Sequence, residues 1–309
     1  MVKDFALEKI NQSTGMNISA GNFRLRFPLD LSLSDVSALE ASGDTMATLG
    51  SMTVSVKLLP LLKGDISVSA AKATNVFYAL GNPDSAMMLR ARIRDFSLDA
   101  AGMNLLTNNI DLEKAEVNGA DVTILFNDSI TSAADTSSSK PSPLKIKASE
   151  IKLTDITYRM RMMPVIDSLS ASVPQALLSD ASIDMGTKRI HAAALSVDSV
   201  NAVYLTPSAE YTSAHPASVD TVTTSEPDTA AAAWTVTAGS LHLSGKKAVY
   251  AMRGAAPLPG LDMNYLQASA IEIDVDSFYN RGASITVPLK KLSARERCGI
   301  ILSAYGTFS

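Results

Sequence analysis

Apolar and polar residues alternate along most of this sequence. Phe23, Leu25 and Phe27 are separated by single arginines, and Val54 and Val56 by a serine. A period of two is that of a β-strand with one buried face, because successive side chains point to opposite sides of a sheet. Helical spacing is confined to residues 2–14 and a short piece at 58–62. The alternation therefore predicts an all-β protein with a short N-terminal helix.

One sequence unit recurs along the chain. It consists of an alternating segment, a polar step and a second alternating segment with an aromatic or β-branched end. The copies start at residues 65, 109, 143, 188 and 233, with spacings of 44, 34, 45 and 45 residues. Periods of 20–50 residues are typical of extended repeat architectures. Within the second copy, Asn118-Gly119 predicts the type I′ turn of a hairpin.

The repeats predict an elongated, curled, mostly antiparallel β-sheet. Counting each half of the unit as a strand gives roughly sixteen to twenty strands, which at ~4.8 Å spacing would extend over ~75–95 Å. Two Ser/Thr/Pro-rich segments interrupt the pattern and are interpreted as loops. The expected organisation is an end of a helix (1–15), a β-groove (16–128), a loop (129–143), groove repeats (144–212), a second loop (213–232) and further repeats (233–309).

Composition argues against several functional classes. The net charge of −4 lacks the basic excess by which nucleic-acid binders displace phosphate counterions. Cys298 is the only cysteine, and the three histidines have no ligand spacing, so no metal site or cofactor is expected. No nucleophile elbow, phosphate-binding loop or calcium loop occurs in the sequence. We therefore expect a protein that is not an enzyme.

The chain is apolar and yet has no membrane-spanning run. Hydrophobic residues make up 46% of it, but no stretch approaches the ~18 consecutive apolar residues of a span. Both ends of the sequence look cut: residues 2–14 begin like the last turns of a helix, and residues 300–308 end within a strand pattern. We expect a longer natural protein, with an anchoring or targeting element before residue 1.

A basic cluster lies near the end of the chain. Lys290, Lys291, Arg295 and Arg297 occur within eight residues. Charges of this kind often protect a strand edge or solvated face from aggregation. Contact with lipid headgroups or an acidic partner is the alternative.

A short motif of aspartate, a hydroxyl residue and an apolar residue recurs along the chain. The tripeptides resemble the acceptor motif for O-glycosylation of exported proteins in Bacteroidetes, which would indicate an exported protein. The candidate acceptors are Thr45, Ser85, Ser129, Ser168, Ser199, Thr221 and Thr229.

The order of features in the first eighty residues carries a family resemblance. An amphipathic helix is followed by Gly15 and Ile18, the alternating segment 23–27, a segment from Leu31 to Val36, Gly43-Asp44-Thr45 and Leu61-Leu62-Lys63-Gly64. This order resembles the region after the membrane helix in the TamB (translocation and assembly module) family of the AsmA-like group. Later segments such as SEIKLTDITYRM and SLHLSGKKAVYAM are similar to its Bacteroidetes branch.

The resemblance implies a protein anchored in the inner membrane by an N-terminal helix and extending through the periplasm. It implies a curled sheet with an apolar concave face, and roles in phospholipid transport between the membranes and in outer-membrane protein assembly. The implied partners are phospholipids and a BamA-like outer-membrane protein. It implies no catalytic residues.

Two interpretations of the apolar strand faces remain open. In the first, they line a groove that binds lipid acyl chains, with candidate residues Phe23, Leu25, Phe27, Val54, Val56, Ile124 and Phe126. Acyl chains require only matching apolar area, at ~0.8 kcal/mol per buried CH₂. In the second, the faces pack on each other as the dry core of a structural stalk, adhesin or interaction module.

Overall fold

A computed structural model gives the architecture of most of the chain. It describes residues 17–27, 29–40, 43–59, 67–104, 109–127, 130, 144–163, 167–214, 234–282 and 284–308. Fourteen strands and one short helix carry the fold of these residues. They are β1 (Asn17–Ser19), β2 (Asn22–Arg26), β3 (Asp30–Leu39), β4 (Thr45–Val56), β5 (Ser67–Leu80), β6 (Met87–Asn104), β7 (Asn109–Asn127), β8 (Lys145–Met163), β9 (Ser168–Asp184), β10 (Arg189–Thr206), α1 (Ala209–Ala214), β11 (Thr235–Met252), β12 (Tyr265–Arg281), β13 (Ser284–Glu296) and β14 (Ile301–Phe308).

All fourteen strands belong to one sheet, in which strand order follows chain order from β3 to β14. Both β1 and β2 pair with β3, along different parts of it. The sheet is long, curled and unclosed, as the alternation predicts. Every neighbouring pair is antiparallel except β7 with β8 and β10 with β11, which are parallel.

The parallel pairs explain the two polar segments of the sequence. The Ser/Thr/Pro-rich segments 129–143 and 213–232 fall between β7 and β8 and between β10 and β11, and most of each lies outside the described residues. Two neighbouring parallel strands require a connection that returns the chain along the strand length, whereas an antiparallel pair needs only a short turn.

The five sequence repeats correspond to strands of one orientation. The units begin at or within two residues of β5, β7, β8, β10 and β11. These strands run in the same direction, because β5 and β7 are both antiparallel to β6, β8 and β10 are both antiparallel to β9, and the other two steps are parallel. Strands β6 and β9 fill the spaces between repeats in the opposite direction.

The polar step inside each repeat is a break in the alternation within one continuous strand, which corrects the division of the unit into two strands. Asn118 and Gly119 lie inside the continuous strand β7, so the predicted hairpin there is wrong. Thr154 and Asp155 have the same place inside β8. Because each unit is one long strand, the described sheet has fourteen strands instead of sixteen to twenty.

These breaks in the alternation form a line across the sheet, which we call the crease. Flanking residues of successive strands pair with one another on either side of it, as Thr74, Asp95, Asn118 and Thr154 do on one side. The crease residues on β3, β5, β7, β8, β10 and β12 have positive φ: Asp35 (53°), Asn75 (52°), Gly119 (69°), Asp155 (57°), Ser199 (60°) and Ala270 (47°).

The residue types at the crease fit its backbone conformation. Glycine has no Cβ to clash, and aspartate and asparagine tolerate the left-handed region better than other residues. At Gly119 the register with both neighbouring strands is unchanged across the break, so two successive side chains turn to the same face with no extra residue inserted. Because the breaks are aligned across the sheet, we attribute part of its curl to them.

The apolar face has buried small side chains between larger ones. Ala71 (9% exposed) pairs with Val54 and Leu98, and Ala176 (4%) pairs with Leu153 and Val197. Alternation of large and small residues allows side chains to interdigitate on the inside of a curved sheet. No large side chain of the described residues is fully buried, because they form no second sheet that could pack on this one.

Helices contribute little to the described part of the chain. The predicted helix at 2–14 lies outside the described residues, and of the 58–62 piece only Leu58 and Leu59 are described, as helical. Within the described ranges, no helix has the length and apolarity needed to cross a bilayer.

Candidate functional site

One face of the sheet carries continuous rows of apolar side chains, and we call it the apolar face. Cross-strand partners share a face, so the pairing register shows which side chains are neighbours. One row runs from β2 to β13: Leu25, Leu31, Val54, Ala71, Leu98, Ala115, Ile151, Leu178, Leu195, Leu241, Val275 and Leu289. The next row is equally apolar: Phe23, Leu33, Met52, Ala73, Phe96, Val117, Leu153, Ala176, Val197, Leu243, Ile273 and Leu292.

Most of the groove candidates belong to this apolar face. Phe23 and Leu25 begin the two rows, on the edge strand β2, where they are 41% and 61% exposed. Val54 is in the first row, and Val56, beyond a register shift, pairs with Val68. Ile124 pairs with Leu89 and Met160, and Phe126 with Met87 and Met162. Phe27 is different, since it follows β2 in a turn and is 93% exposed.

Two pockets open on the apolar face. The first, which we call the central pocket, has a volume of about 260 Å³ and is formed by β8 to β12. Ile151, Leu178, Leu195 and Leu241 contribute to its wall from the first apolar row. His191 and Thr237 are its polar margin, where the imidazole Nδ1 lies 2.9 Å from the threonine Oγ1.

The second pocket, which we call the end pocket, lies toward β13 and β14 and has a volume of about 560 Å³. The rings of Tyr204 and Tyr250 stack in its wall, with centroids 5.8 Å apart. Burial and the neighbouring Asp167 carboxylate raise the pKa of Tyr204 above its usual value. Leu261, Met263, Ile300 and Leu302 form the exposed part of its apolar wall.

A buried carboxylate lies beside the end pocket. Glu296 pairs with Ala268 at the end of β13 and is 3% exposed. Its Oε2 accepts the backbone N–H of Cys298 at 2.5 Å, and its Oε1 has no hydrogen-bond partner among the described residues. Hydrogen bonds from the Cys298 thiol and backbone N–H hold the pKa of Glu296 below its usual value. The carboxylate therefore stabilises the turn between β13 and β14.

The opposite face is polar and carries cross-strand ion pairs. Arg159 Nη1 contacts both carboxylate oxygens of Asp121, at 2.7 and 2.8 Å. Lys114 pairs with Glu116 on its own strand at 2.8 Å and with Glu150 on β8 at 3.6 Å, and the first contact raises the pKa of the lysine and lowers that of the glutamate. Exposed pairs contribute little to stability, because solvent screens them. Their arrangement keeps one face solvated while the other remains apolar.

Ser196, His242 and Asp274 form a row on the polar face. His242 Nδ1 lies 2.6 Å from Asp274 Oδ1, and Ser196 is the partner of His242 on β10. These residue types resemble a serine nucleophile, its base and an orienting acid. However, the Ser196 hydroxyl donates to Asp198 (3.4 Å) and not to the imidazole. The row is therefore not arranged for nucleophilic catalysis.

The candidate glycosylation residues are in different environments. Thr45 is exposed at the start of β4, and Ser85 exchanges hydrogen bonds with Asn82 in a turn. Ser168 accepts a hydrogen bond from Arg253, and Ser199 lies in the crease. Ser129, Thr221 and Thr229 lie outside the described residues.

Sequence reasoning missed the central members of the apolar rows. Leu153, Leu178 and Leu241 lie on strands where the alternation changes phase, so a strict period of two does not connect them with the next apolar residue. The signal was present in spacings of three, such as Leu153 to Ile156 and Val117 to Ala120, with a polar residue and Asp or Gly between. Such spacings mark the breaks in the alternation that form the crease.

Within the described ranges, no group of three or more His, Cys, Asp or Glu residues is arranged to hold a metal ion. The chain matches no protein-family model, and neither the curated proteins nor the solved structures include a significant match to it.

Proposed function

We propose that this chain is a periplasmic groove that binds the acyl chains of phospholipids. The observation that carries the proposal is the pair of apolar rows, which cross the sheet from β2 to β13 with no second sheet of the described residues packed on them. Most side chains in the two rows are half-buried, and a partly exposed apolar surface that crosses so many strands is unusual in a protein without a partner for it. An acyl chain is a suitable occupant, because it requires apolar area and no specific hydrogen bonds.

The free energy gained by burying an acyl chain on the apolar face is sufficient for lipid binding. At ~0.8 kcal/mol per buried CH₂, half-burying a sixteen-carbon chain contributes on the order of 6 kcal/mol. A continuous row gives the same contact at each strand, so a lipid can move along the sheet between sites of similar free energy. These properties fit transport better than tight storage at one position.

The wider proposal follows the resemblance to the TamB family. The whole protein is anchored in the inner membrane by an N-terminal helix, transports phospholipids between the two membranes and supports outer-membrane protein assembly with a BamA-like partner. Co-purification of the full-length protein with outer-membrane proteins of that type tests the partnership. Recovery of no such protein would contradict it.

Photocrosslinking tests the groove directly. A photoreactive amino acid is placed at Leu153 or Leu241 on the apolar face, and at Lys152 or His242 as neighbours on the polar face. Extraction and mass spectrometry then identify lipid adducts. We expect lipid adducts at Leu153 and Leu241 and none at Lys152 and His242.

The same substitution at Leu25, Val56 and Phe126 tests whether the whole face is used. Adducts there as well would support a continuous path. A protein that is free of lipid and gives no adducts at any of these positions would overturn the groove and favour the structural stalk.

A further inference from the structure

One margin of the sheet carries an exposed apolar loop beside the end pocket. Residues 253–264 connect β11 to β12, and residues 297–300 connect β13 to β14. We call these two connections, together with Arg295 and Glu296 at the end of β13, the tip. Leu258, Leu261 and Met263 are 60%, 56% and 67% exposed, and Ile300 is 43% exposed. Three large apolar side chains this exposed within six residues require an explanation.

Specific hydrogen bonds hold the loop in this conformation. Asp262 Oδ1 and Oδ2 accept the backbone N–H groups of Asn264 (3.0 Å) and Leu258 (3.3 Å). Arg297 donates to the carbonyl oxygens of Leu258 (2.6 Å) and Gly260 (3.4 Å), and its guanidinium lies 6.0 Å from the centre of the Tyr265 ring. The exposed side chains are therefore presented by an ordered loop.

The acidic side chains of the tip are buried, whereas its basic side chains at residues 295 and 297 are exposed. Asp262 is 8% exposed and Glu296 is 3% exposed, and both carboxylates accept backbone N–H groups. They are the only acidic residues in 253–264 and 295–300. Arg295 and Arg297 are exposed. The solvent-facing charge of the tip is thus positive and surrounds apolar side chains.

We propose that the tip docks on the surface of a lipid bilayer with negatively charged headgroups. Leu258, Leu261 and Met263 enter the boundary between headgroups and acyl chains, and the arginines contact the headgroups. This is the combination by which interfacial segments bind membranes. The proposal rests on the lipid-groove function for one further step: Leu261 and Met263 also line the end pocket, so a lipid can pass from the bilayer to the apolar face there.

Vesicle flotation tests the docking. The whole chain is mixed with vesicles of phosphatidylethanolamine and phosphatidylglycerol (3:1) or of phosphatidylcholine alone. We expect flotation with the first, weakened by salt, and at least tenfold less bound protein for the triple variant Leu258→Ser, Leu261→Ser, Met263→Ser. Leu59→Ser, on an exposed side chain (74%) between β4 and β5 that belongs to neither apolar row, is the control and should bind within twofold of the unmodified chain.

A variant that lacks one exposed arginine measures the electrostatic contribution to vesicle binding. Arg295→Gln should reduce binding to the anionic vesicles about threefold at low salt and leave the weak binding to phosphatidylcholine unchanged. Unchanged flotation of the triple variant, or no flotation of the unmodified chain, would overturn the proposal. So would self-association that the triple variant abolishes without any vesicle binding, because the tip would then be a contact between copies of this chain.

Lipid extraction distinguishes failure of docking from failure of the groove. Co-purified lipid with no flotation would leave the groove intact and reject the docking. Flotation that depends on the tip, with no lipid adducts on the apolar face, would support docking and reject the groove. Equal thermal unfolding temperatures of the triple variant and the unmodified chain confirm that the loop change does not unfold the sheet.

Discussion

The guanidinium of Arg94 lies directly against the backbone of Gly119. A β-carbon built on Gly119 would come within 2.6 Å of Arg94 Cζ, and Gly119 has a φ of +69°. Both the positive φ and the adjacent guanidinium therefore disfavour a side chain at residue 119. The Arg94 side chain is held there by Asn118 Oδ1 (2.8 Å) and by Asp155 (3.5 Å) on the adjacent strand.

Substitution of Gly119 tests this close approach. Gly119→Ala should lower the free energy of unfolding by about 1–3 kcal/mol, because alanine is strained at positive φ and its methyl group displaces Arg94. Chemical denaturation measures the effect. Gly254→Ala is the matched control, since Gly254 has a φ of +82° and no described atom within 4 Å of the place its methyl group would take, and it should lose only roughly 1 kcal/mol. Equal losses at both positions would contradict a role for Arg94.

The conformation of the crease can be tested at Asn75. With a φ of 52°, this residue should accept glycine with little loss, whereas Asn75→Val should destabilise the protein by about 1–3 kcal/mol, because a β-branched residue is strongly disfavoured there. Lys72→Val, at an exposed position of the same strand, should change the stability by less than about 0.5 kcal/mol. Tolerance of valine at residue 75 would mean that the left-handed backbone conformation there is not required.

Acid should weaken the turn that Glu296 stabilises. The pKa of Glu296 is lowered from its usual 4.5, so the folded state favours the carboxylate. The stability that the Glu296 carboxylate contributes is present above its usual pKa and is lost as the pH falls through its folded-state pKa. Glu296→Gln removes this titration. The stability difference between the unmodified chain and the glutamine variant should therefore shrink between pH 6 and pH 3, as measured by urea denaturation.

One further variant separates the causes of the lowered pKa of Glu296. Cys298→Ala removes the thiol hydrogen bond and keeps the backbone N–H, so the pH dependence should become weaker and remain in the same direction. A pH dependence that is identical in the unmodified chain and in Glu296→Gln would assign it to other carboxylates.

Filling the central pocket should reduce lipid binding if the groove proposal is correct. Ala192 is 8% exposed in its wall, and Ala192→Phe would occupy space available to an acyl chain. We expect at most half as much co-purified lipid per protein, by mass spectrometry. Asn201→Phe, an exposed change on the same strand, should leave the lipid content unchanged. An overpacked site can lose about 1–3 kcal/mol of stability, so thermal unfolding of both variants is compared first.

The sequence predicted the strand class and the apolar face, because alternation reports directly which side chains share a side. It did not predict the crease at Asn118 and Gly119, since the dipeptide that suits a hairpin turn also suits a left-handed residue inside a continuous strand. The two structures are distinguished only by the pairing of Asn118 with Asp95 on one neighbouring strand and with Thr154 on the other. Parallel pairing of β7 with β8 was likewise not predicted, because identical repeats can be neighbours in either orientation.

The apolar site was predictable in type but only partly in its members. Phe23 and Val54 lie in uninterrupted alternation and were recognised from it. Leu178 and Val275 were not, because their place on the face depends on the register between strands. The tip was not predicted either: its exposed leucines carry no periodic signal, and the burial of Asp262 follows from the loop conformation.

The two parallel junctions also have a consequence for how the sheet is assembled. They divide it into three antiparallel meanders, β1–β7, β8–β10 and β11–β14, in which each strand pairs with the next one in the chain, except that β1 and β2 both pair with β3. On average, contacts within a meander are closer in sequence than those across a junction, and such contacts form faster. During synthesis each meander can therefore form as its last strand emerges and then join the edge of the previous one. The order of the strands in the sheet would then also be the order of folding, from the N-terminal edge to the C-terminal edge.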